Sequence, residues 1–321
     1  MVRRHTPTQG AAVASGVRCS LQELTLLRGS AAAIDLATPR SAARATGSGA
    51  PSRQRGRGLE FEEVRAYAPG DDVRTIDWRV SARTGRVHTR LFRAERERPV
   101  YLLLDQRSPM FFGTRSCMKS VQAAHAAALL AWAALAGGDR VGGIVLAGNG
   151  HRETRPRRSQ RAVLEFLRLA SEANERLGPV STASQGEQDA ELRTALESLR
   201  RLVRPGALVL LISDFHDWDA QCSVQLRLLA RHCEVHGVRV HDVMEQSLPS
   251  AGKAMFSDGR TQLLADTSAP TLRNAFARQA GERVGRLEEA FRLAKARLTP
   301  LPTGAAAGSV LGLCYGRRPG A

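Results

Sequence analysis

The sequence predicts an α/β fold, a mainly parallel sheet with helices on both faces. Three observations carry this. VYLLLD (100–105), the strand within GGDRVGGIVLAGNG and ALVLLISDF (207–215) are continuous apolar runs, as strands covered on both faces must be. Segments with apolar residues at helical spacing separate them, and strands alternating with helices build parallel sheets. Two of the runs lead into acids, Asp105 and Asp214, at the strand ends where open α/β sheets take ligands.

The elements follow in order. Residues 1–18 are small, polar and aperiodic, and read as a disordered tail. Over 19–55, Leu21, Leu24 and Leu27 predict a short helix, and PRSAARATGSGAPSRQRGRG is a linker by composition. Residues 56–98 hold the densest stretch, GRGLEFEEVRAYAPGDDVRTIDWRVSARTG. Within it Glu60–Tyr67 reads equally as extended or part helical. Pro69 and Gly70 specify a turn. Arg74, Ile76, Trp78 and Val80 alternate with Thr75, Asp77, Arg79 and Ser81, which predicts a half-buried strand; a turn at Thr84-Gly85 and a return over Arg86–Phe92 complete a β-hairpin. The α/β domain takes 99–300. Its helices fall near 116–136, 159–176, 189–203, 219–232 and 270–297, with a fourth strand near 234–242, a segment at 151–157 paired beside the second strand, and a short strand pair in 253–266. Residues 301–321 are weakly patterned and read as a tail.

The 321 residues carry a formal charge of +16, and the pI is about 11.1. Lysine occurs only at 119, 253 and 295, so the charge is almost all arginine. With abundant Ala and Gly, that fits the drift of a GC-rich genome as well as it fits polyanion binding. The clusters at Arg53–Arg57, Arg93–Arg98 and Arg155–Arg158 have few aromatics beside them, which disfavours base stacking. The longest apolar run, AHAAALLAWAALAGG, is short of the ~20 residues that span a bilayer. No apolar segment follows the N-terminal arginines, and the five cysteines are scattered without a CxxC pair. A cytoplasmic protein is expected.

The pattern G-x-G-x-E-F-x-x-x-R-x-Y-x-P-G-D-D-x-R-x-I-D-W-x-x-S-A-R, followed by LLLDQRSPMFFG, the GDRVGG strand and LLISDF, resembles the bacterial family catalogued as domain of unknown function 58. That resemblance implies a von Willebrand factor A-like, Rossmann-like fold preceded by the hairpin segment, and a MoxR-type AAA+ ATPase as partner. It implies no settled activity. A-type folds often carry a metal-ion-dependent adhesion site opening with Asp-x-Ser-x-Ser. Asp105 and Asp214 match its acids, but Arg107 and Pro109 stand at the serine positions and Ser108 falls between them. A guanidinium beside two carboxylates supplies the charge that a metal would supply. Mg²⁺ is therefore possible but not expected, and Arg107 is expected near one of the two acids.

No catalytic triad, P-loop or dinucleotide loop is legible, and His232-Cys233-Glu234-Val235-His236 has the wrong order for a zinc-protease helix. The expected function is a non-enzymatic protein-interaction module serving a MoxR-type ATPase in the assembly or maturation of other proteins. The alternatives are a nucleic-acid-binding protein and a metal-dependent hydrolase at Asp105/Asp214. The candidate crevice is Asp105, Arg107, Ser108 and Asp214. The candidate clasp or partner surface is Arg65, Tyr67, Pro69, Gly70, Asp71, Arg74, Asp77, Trp78 and Arg83, with Asp77 expected to be buried and paired with an arginine.

Overall fold

Val100–Gln106 and Leu208–Ser213 are buried throughout, which a strand achieves only inside a sheet covered on both faces. That is their place in the computed structural model, which describes residues 16–36, 59–68, 73–94, 97–148, 150–178, 185–257 and 261–316. In chain order the elements are α1 (Leu21–Leu26), α2 (Arg28–Ala31), β1 (Leu59–Ala66), α3 (Trp78–Thr84), β2 (His88–Ala94), β3 (Pro99–Gln106), α4 (Lys119–Ala136), β4 (Arg140–Ala147), β5 (Gly150–Arg157), α5 (Gln160–Arg176), α6 (Gln185–Leu202), β6 (Leu208–Ser213), α7 (Ala220–Ala230), β7 (Glu234–His241), β8 (Lys253–Ser257), β9 (Gln262–Asp266), α8 (Pro270–Leu293), β10 (Arg297–Pro302) and α9 (Ala307–Tyr315). The chain divides into a larger unit, residues 1–38 with 98–321, and a smaller one, residues 39–97.

The larger unit is built on a six-stranded sheet of order β10-β7-β6-β3-β4-β5. Its pairs are parallel except β4 with β5. From β3 the chain moves one way to β4 and the other way to β6, β7 and β10, so the strand order reverses between β3 and β6. Side chains alternate across the sheet. Val100, Leu102 and Leu104 pack with Leu24, Trp132, Phe166 and Leu311 on one face, and Tyr101 and Leu103 pack with Leu196, Leu226 and Phe291 on the other. In the GDRVGG strand a Cβ on Gly143 would stand 2.0 Å from the Leu102 carbonyl oxygen, so that position requires glycine. Side-chain caps start α1, α5 and α7: Ser20 accepts from the Glu23 amide, Ser159 from Ala162 and Asp219 from Cys222.

Residues 301–316, expected as a tail, belong to this unit. Among the described residues Arg297–Pro302 pairs with β7 alone, and an edge strand tolerates Pro300 and Pro302 because a missing N–H can face outward. Leu301, Leu311 and Tyr315 are buried. At the other end, Cys19, Leu24, Ala31, Ile34 and Leu36 join the core, so residues 19–36 are part of the α/β unit and not a preface to it. Arg98 donates from Nη2 to the Leu36 carbonyl (2.6 Å), from Nε to Asp139 (3.1 Å) and from Nη1 to Glu234 (3.4 Å). The two points at which the unit is interrupted are thereby held side by side.

The smaller unit corrects the expected hairpin. Its antiparallel pair is β1 with β2, so Glu60–Tyr67 is extended almost to its end. Residues Arg74–Val80 are not a strand. Val73–Thr75 is a 3-10 turn, Ile76 makes one bridge to Thr89, and α3 begins at Trp78. Asp77 explains the change: its carboxylate accepts from the Arg79 and Val80 amides at 3.0 and 3.1 Å, a helix cap. Gly85, at φ 68°, supplies the left-handed residue that ends the helix. The turn at Pro69, Gly70 and Asp71 lies outside the described residues, as do residues 1–15 of the expected tail and the expected linker, 39–58.

Candidate functional site

The reversal in strand order places the ends of β3 and β6 beside each other, at the position where open α/β sheets take ligands. Asp105 ends β3 with Gln106, and Arg107 follows. The Arg107 guanidinium turns back on Asp105, with Nε 3.0 Å from Oδ1 and Nη2 2.8 Å from Oδ2. Its other edge meets Asp217, with Nη1 2.5 Å from Oδ2 and Nη2 3.0 Å from Oδ1. This double fork uses the planar donor set of arginine on two carboxylates at once. Ser213, at the end of β6, donates to Asp105 Oδ2 at 2.7 Å and accepts from the Phe215 amide at 3.0 Å. The Arg107 and Asp105 side chains are each 1 % exposed.

A second clasp lies beside the first. Lys119 is the first residue of α4, where a cation opposes the helix dipole. It is held there by Asp214 Oδ2 and Glu245 Oε1, both 2.6 Å from Nζ. The ammonium also faces the Phe112 ring, 5.9 Å from its centroid. Burial acts to raise the Asp214 pKa, but the charge and hydrogen bond of Lys119 outweigh it and hold Asp214 at about 2. Burial works against the Lys119 cation, yet Asp214 and Glu245 leave its pKa raised. Asp217 is raised, because burial outweighs the hydrogen bonds from Arg107. For Arg107 burial opposes the charge, and Asp105 and Asp217 overcome it and raise the pKa.

Between Asp214 and Asp217, the acids that follow β6, the backbone is strained. Phe215 has φ 53°, a region that non-glycine residues occupy at a cost of about 1–3 kcal/mol. Its ring is buried edge-on against Trp218 and Phe291. This aromatic anchor holds the bend that sends Asp214 toward Lys119 and Asp217 toward Arg107. A third strand-end acid, after Asp105 and Asp214, is Asp242, which follows β7. It accepts from the Thr114 amide (2.9 Å), Thr303 Oγ1 (2.6 Å) and the Met244 amide (3.0 Å), and these bonds overcome burial to hold it at about 2.

The residues named from sequence fall into two groups. Asp105, Arg107 and Asp214 come together in the crevice, with Arg107 on Asp105 as expected and on Asp217, not Asp214. Ser108 is half-buried and opens a 3-10 turn, its carbonyl accepting from Phe111. The others belong to the smaller unit. Arg65 is half-buried and donates to the Ala66 carbonyl, and the Tyr67 amide donates to Val87. Asp77 is 7 % exposed. Arg74, Trp78 and Arg83 are exposed; Trp78 does not form the apolar strand face expected with Ile76 and Val80. Sequence reasoning missed Lys119, Ser213, Asp217, Asp242 and Glu245. One signal was present: Asp217 stands three residues after Asp214, in SDFHD.

Solved structures similar to this chain include BatB from Bacteroides thetaiotaomicron (14 % identity, TM-score 0.43, covering 67 % of this chain and 95 % of that one). An aerotolerance-related membrane protein from Bacteroides fragilis is also similar (15 % identity, TM-score 0.42, 67 % and 96 %), as is a von Willebrand factor type A protein from Catenulispora acidiphila (14 % identity, TM-score 0.29, 62 % and 45 %). In sequence the chain is 34 % identical over 232 residues to the uncharacterized proteins Rv1480 of Mycobacterium tuberculosis and Mb1516 of Mycobacterium bovis, covering 70 % of this chain and 68 % of each relative. The family model described as protein of unknown function DUF58 matches residues 63–285. The chain therefore belongs to the DUF58 family.

Proposed function

We propose that this protein is a non-enzymatic interaction module, acting as adaptor or substrate-selecting partner for a MoxR-type AAA+ ATPase. One observation carries the reading. At the carboxyl edge of the sheet, where an α/β enzyme would present reactive groups, the strand-end acids are committed to fixed partners within the fold. Asp105 and Asp217 share Arg107, and Asp214 and Glu245 share Lys119. Ser213 donates to Asp105 and not to a histidine base. Burial pushes the Cys19 and Cys222 thiols up to about 12, which removes them as thiolate nucleophiles. A rigid edge of this kind suits a docking face.

The same arrangement does not fit a divalent cation of the adhesion-site type. Mg²⁺ is held by oxygen ligands in octahedral geometry, and here two cationic side chains stand among the oxygens it would need. That Asp105 and Asp214 belong to different clasps weighs against the hydrolase alternative. No helix among the described residues is long and apolar enough to cross a membrane, and the proposed setting is the cytoplasm. The test is direct binding between the purified protein and a purified MoxR-type ATPase encoded in the same genome, measured by biolayer interferometry with ATP. Saturable binding supports the reading. Its absence at tens of micromolar, or turnover of a phosphoester or peptide substrate that is lost in Asp105→Asn, overturns it.

A further inference from the structure

The fold turns one face of α3 to solvent. At 3.6 residues per turn, Trp78, Arg79, Ala82 and Arg83 share that face, while Val80, Ser81 and Thr84 lie on the other. The bonding agrees with this division. Ser81 Oγ accepts from the His88 amide at 2.8 Å, and Thr84 Oγ1 meets His88 Nδ1 at 3.1 Å. Trp78, Arg79, Ala82 and Arg83 are exposed, Trp78 by 70 %. Among the described residues no side-chain hydrogen bond or ion pair engages the guanidinium groups of Arg79, Arg83 or the nearby Arg86. Val73, in the turn before the helix, is 62 % exposed, and Val87 after it 45 % exposed.

Tryptophan and arginine are among the residues that most often dominate binding energy at interfaces, and here they stand on one face of a helix that holds no acid. Asp77, the acid adjoining the helix, is buried as its cap. The helix is pinned at both ends, by Asp77 at its start and by the Gly85 amide on the Ser81 carbonyl at its end, so the face is presented in a fixed geometry and little order is lost on binding.

We infer that the outer face of α3 is a docking surface for an acidic segment of a protein partner, one carrying an apolar residue that covers Trp78 while its carboxylates meet Arg79 and Arg83. Charge complementarity selects the occupant: the guanidinium groups of Arg79 and Arg83, without a side-chain partner among the described residues, share the face of one large aromatic and call for carboxylates around one apolar side chain. A nucleic acid fits less well, because single-strand binders use several stacking aromatics along a basic groove, and this face offers one aromatic on a convex helix. The inference rests on the reading that the protein acts through protein contacts, and it names the surface.

Trp78 is its own reporter, since Trp132 is 2 % exposed and Trp218 half-buried. The full-length protein is titrated at physiological ionic strength with a synthetic peptide of glutamates and aspartates flanking one leucine. Saturable, blue-shifted Trp emission is expected. The Arg79→Glu/Arg83→Glu variant, checked for an unchanged melt, should weaken binding by about tenfold or more. Trp78→Phe should lose the emission signal yet still bind a labelled peptide by anisotropy. The inference is overturned by an absence of saturable binding, by equal affinity for a peptide with glycine in place of leucine, by an unaffected charge-reversal variant, or by a DNA oligonucleotide that binds as tightly. In the ATPase binding assay, wild-type affinity retained in Trp78→Ala overturns this surface and leaves the general reading standing, whereas failure of the wild type itself removes the general reading.

Discussion

Arg107→Met tests the crevice most directly. Methionine keeps much of the length and apolar stem but leaves Asp105 and Asp217 without their common cation. Both side chains are nearly inaccessible, at 1 % and 6 % exposure. Removing one partner of a buried ion pair costs about 3–5 kcal/mol, a large share of the ~5–15 kcal/mol that holds a domain folded. For a domain of 150–250 residues, each kcal/mol is worth about 2–4 °C, so the melting temperature should fall by about 6–20 °C. The deficit should also depend on pH. Burial already raises Asp217 in the presence of Arg107, and without that guanidinium Asp217 should hold its proton to higher pH still. A folded-state pKa raised above the unfolded value stabilises at low pH and loses its effect as pH rises. The variant should therefore sit closest to wild type near pH 5 and furthest from it near pH 8. The assay is urea unfolding at both pH values, followed by circular dichroism. Adding Asp105→Asn and Asp217→Asn should recover much of the loss, because no buried charge then lacks a partner. A deficit under about 1 kcal/mol at pH 8, or one that shrinks as pH rises, would refute the reasoning.

The other predictions are shorter. Isothermal titration with Mg²⁺ or Mn²⁺ should show no saturable heat in the low micromolar range; a single-site curve abolished by Asp105→Ala would contradict the crevice described above. Asp77→Ala should cost about 1 kcal/mol through loss of the α3 cap, read as a small drop in melting temperature, whereas a loss of several kcal/mol would mean that Asp77 anchors more than the helix start. Asp214 is held at about 2 against an ordinary 3.8, so its clasp contributes ~2 kcal/mol. That stabilisation is present above pH ~4 and lost as pH falls toward 2. Acid titration of Lys119→Met should lack this component, and an unchanged acid limb would count against it.

The α/β core was legible because a strand buried on both faces leaves an unmistakable trace: VYLLLD and LVLLIS admit no polar residue until the sheet edge. The α3 segment was misread because Arg74 to Ser81 alternates over too few residues to separate strand from helix. The deciding signals, Asp77 as a cap and Gly85 as a terminator, were local chemistry and not periodicity. The crevice was half legible. Asp105 and Arg107 are two residues apart, so their pairing follows from spacing, but Lys119 meets Asp214 across 95 residues and Glu245 across 126. Lys119 did carry a mark. It is one of three lysines in a chain that otherwise uses arginine, and a compact ammonium fits between two carboxylates. The β10 edge strand was hidden by its prolines, which argue against a strand unless the edge position is already known.

The hydrogen bond from Arg98 to the Leu36 carbonyl has a thermodynamic consequence. Because the two ends are held together by the α/β unit itself, residues 37–97 form a loop whose closure is already enforced. The entropic cost of such a loop grows only with the logarithm of its length, by about 0.6 kcal/mol for each doubling. The α/β unit is thus almost indifferent to how much chain is spliced between Leu36 and Arg98. Selection can lengthen, shorten or rewrite the insert, with its helix and its exposed tryptophan, at nearly constant stability of the fold that carries it.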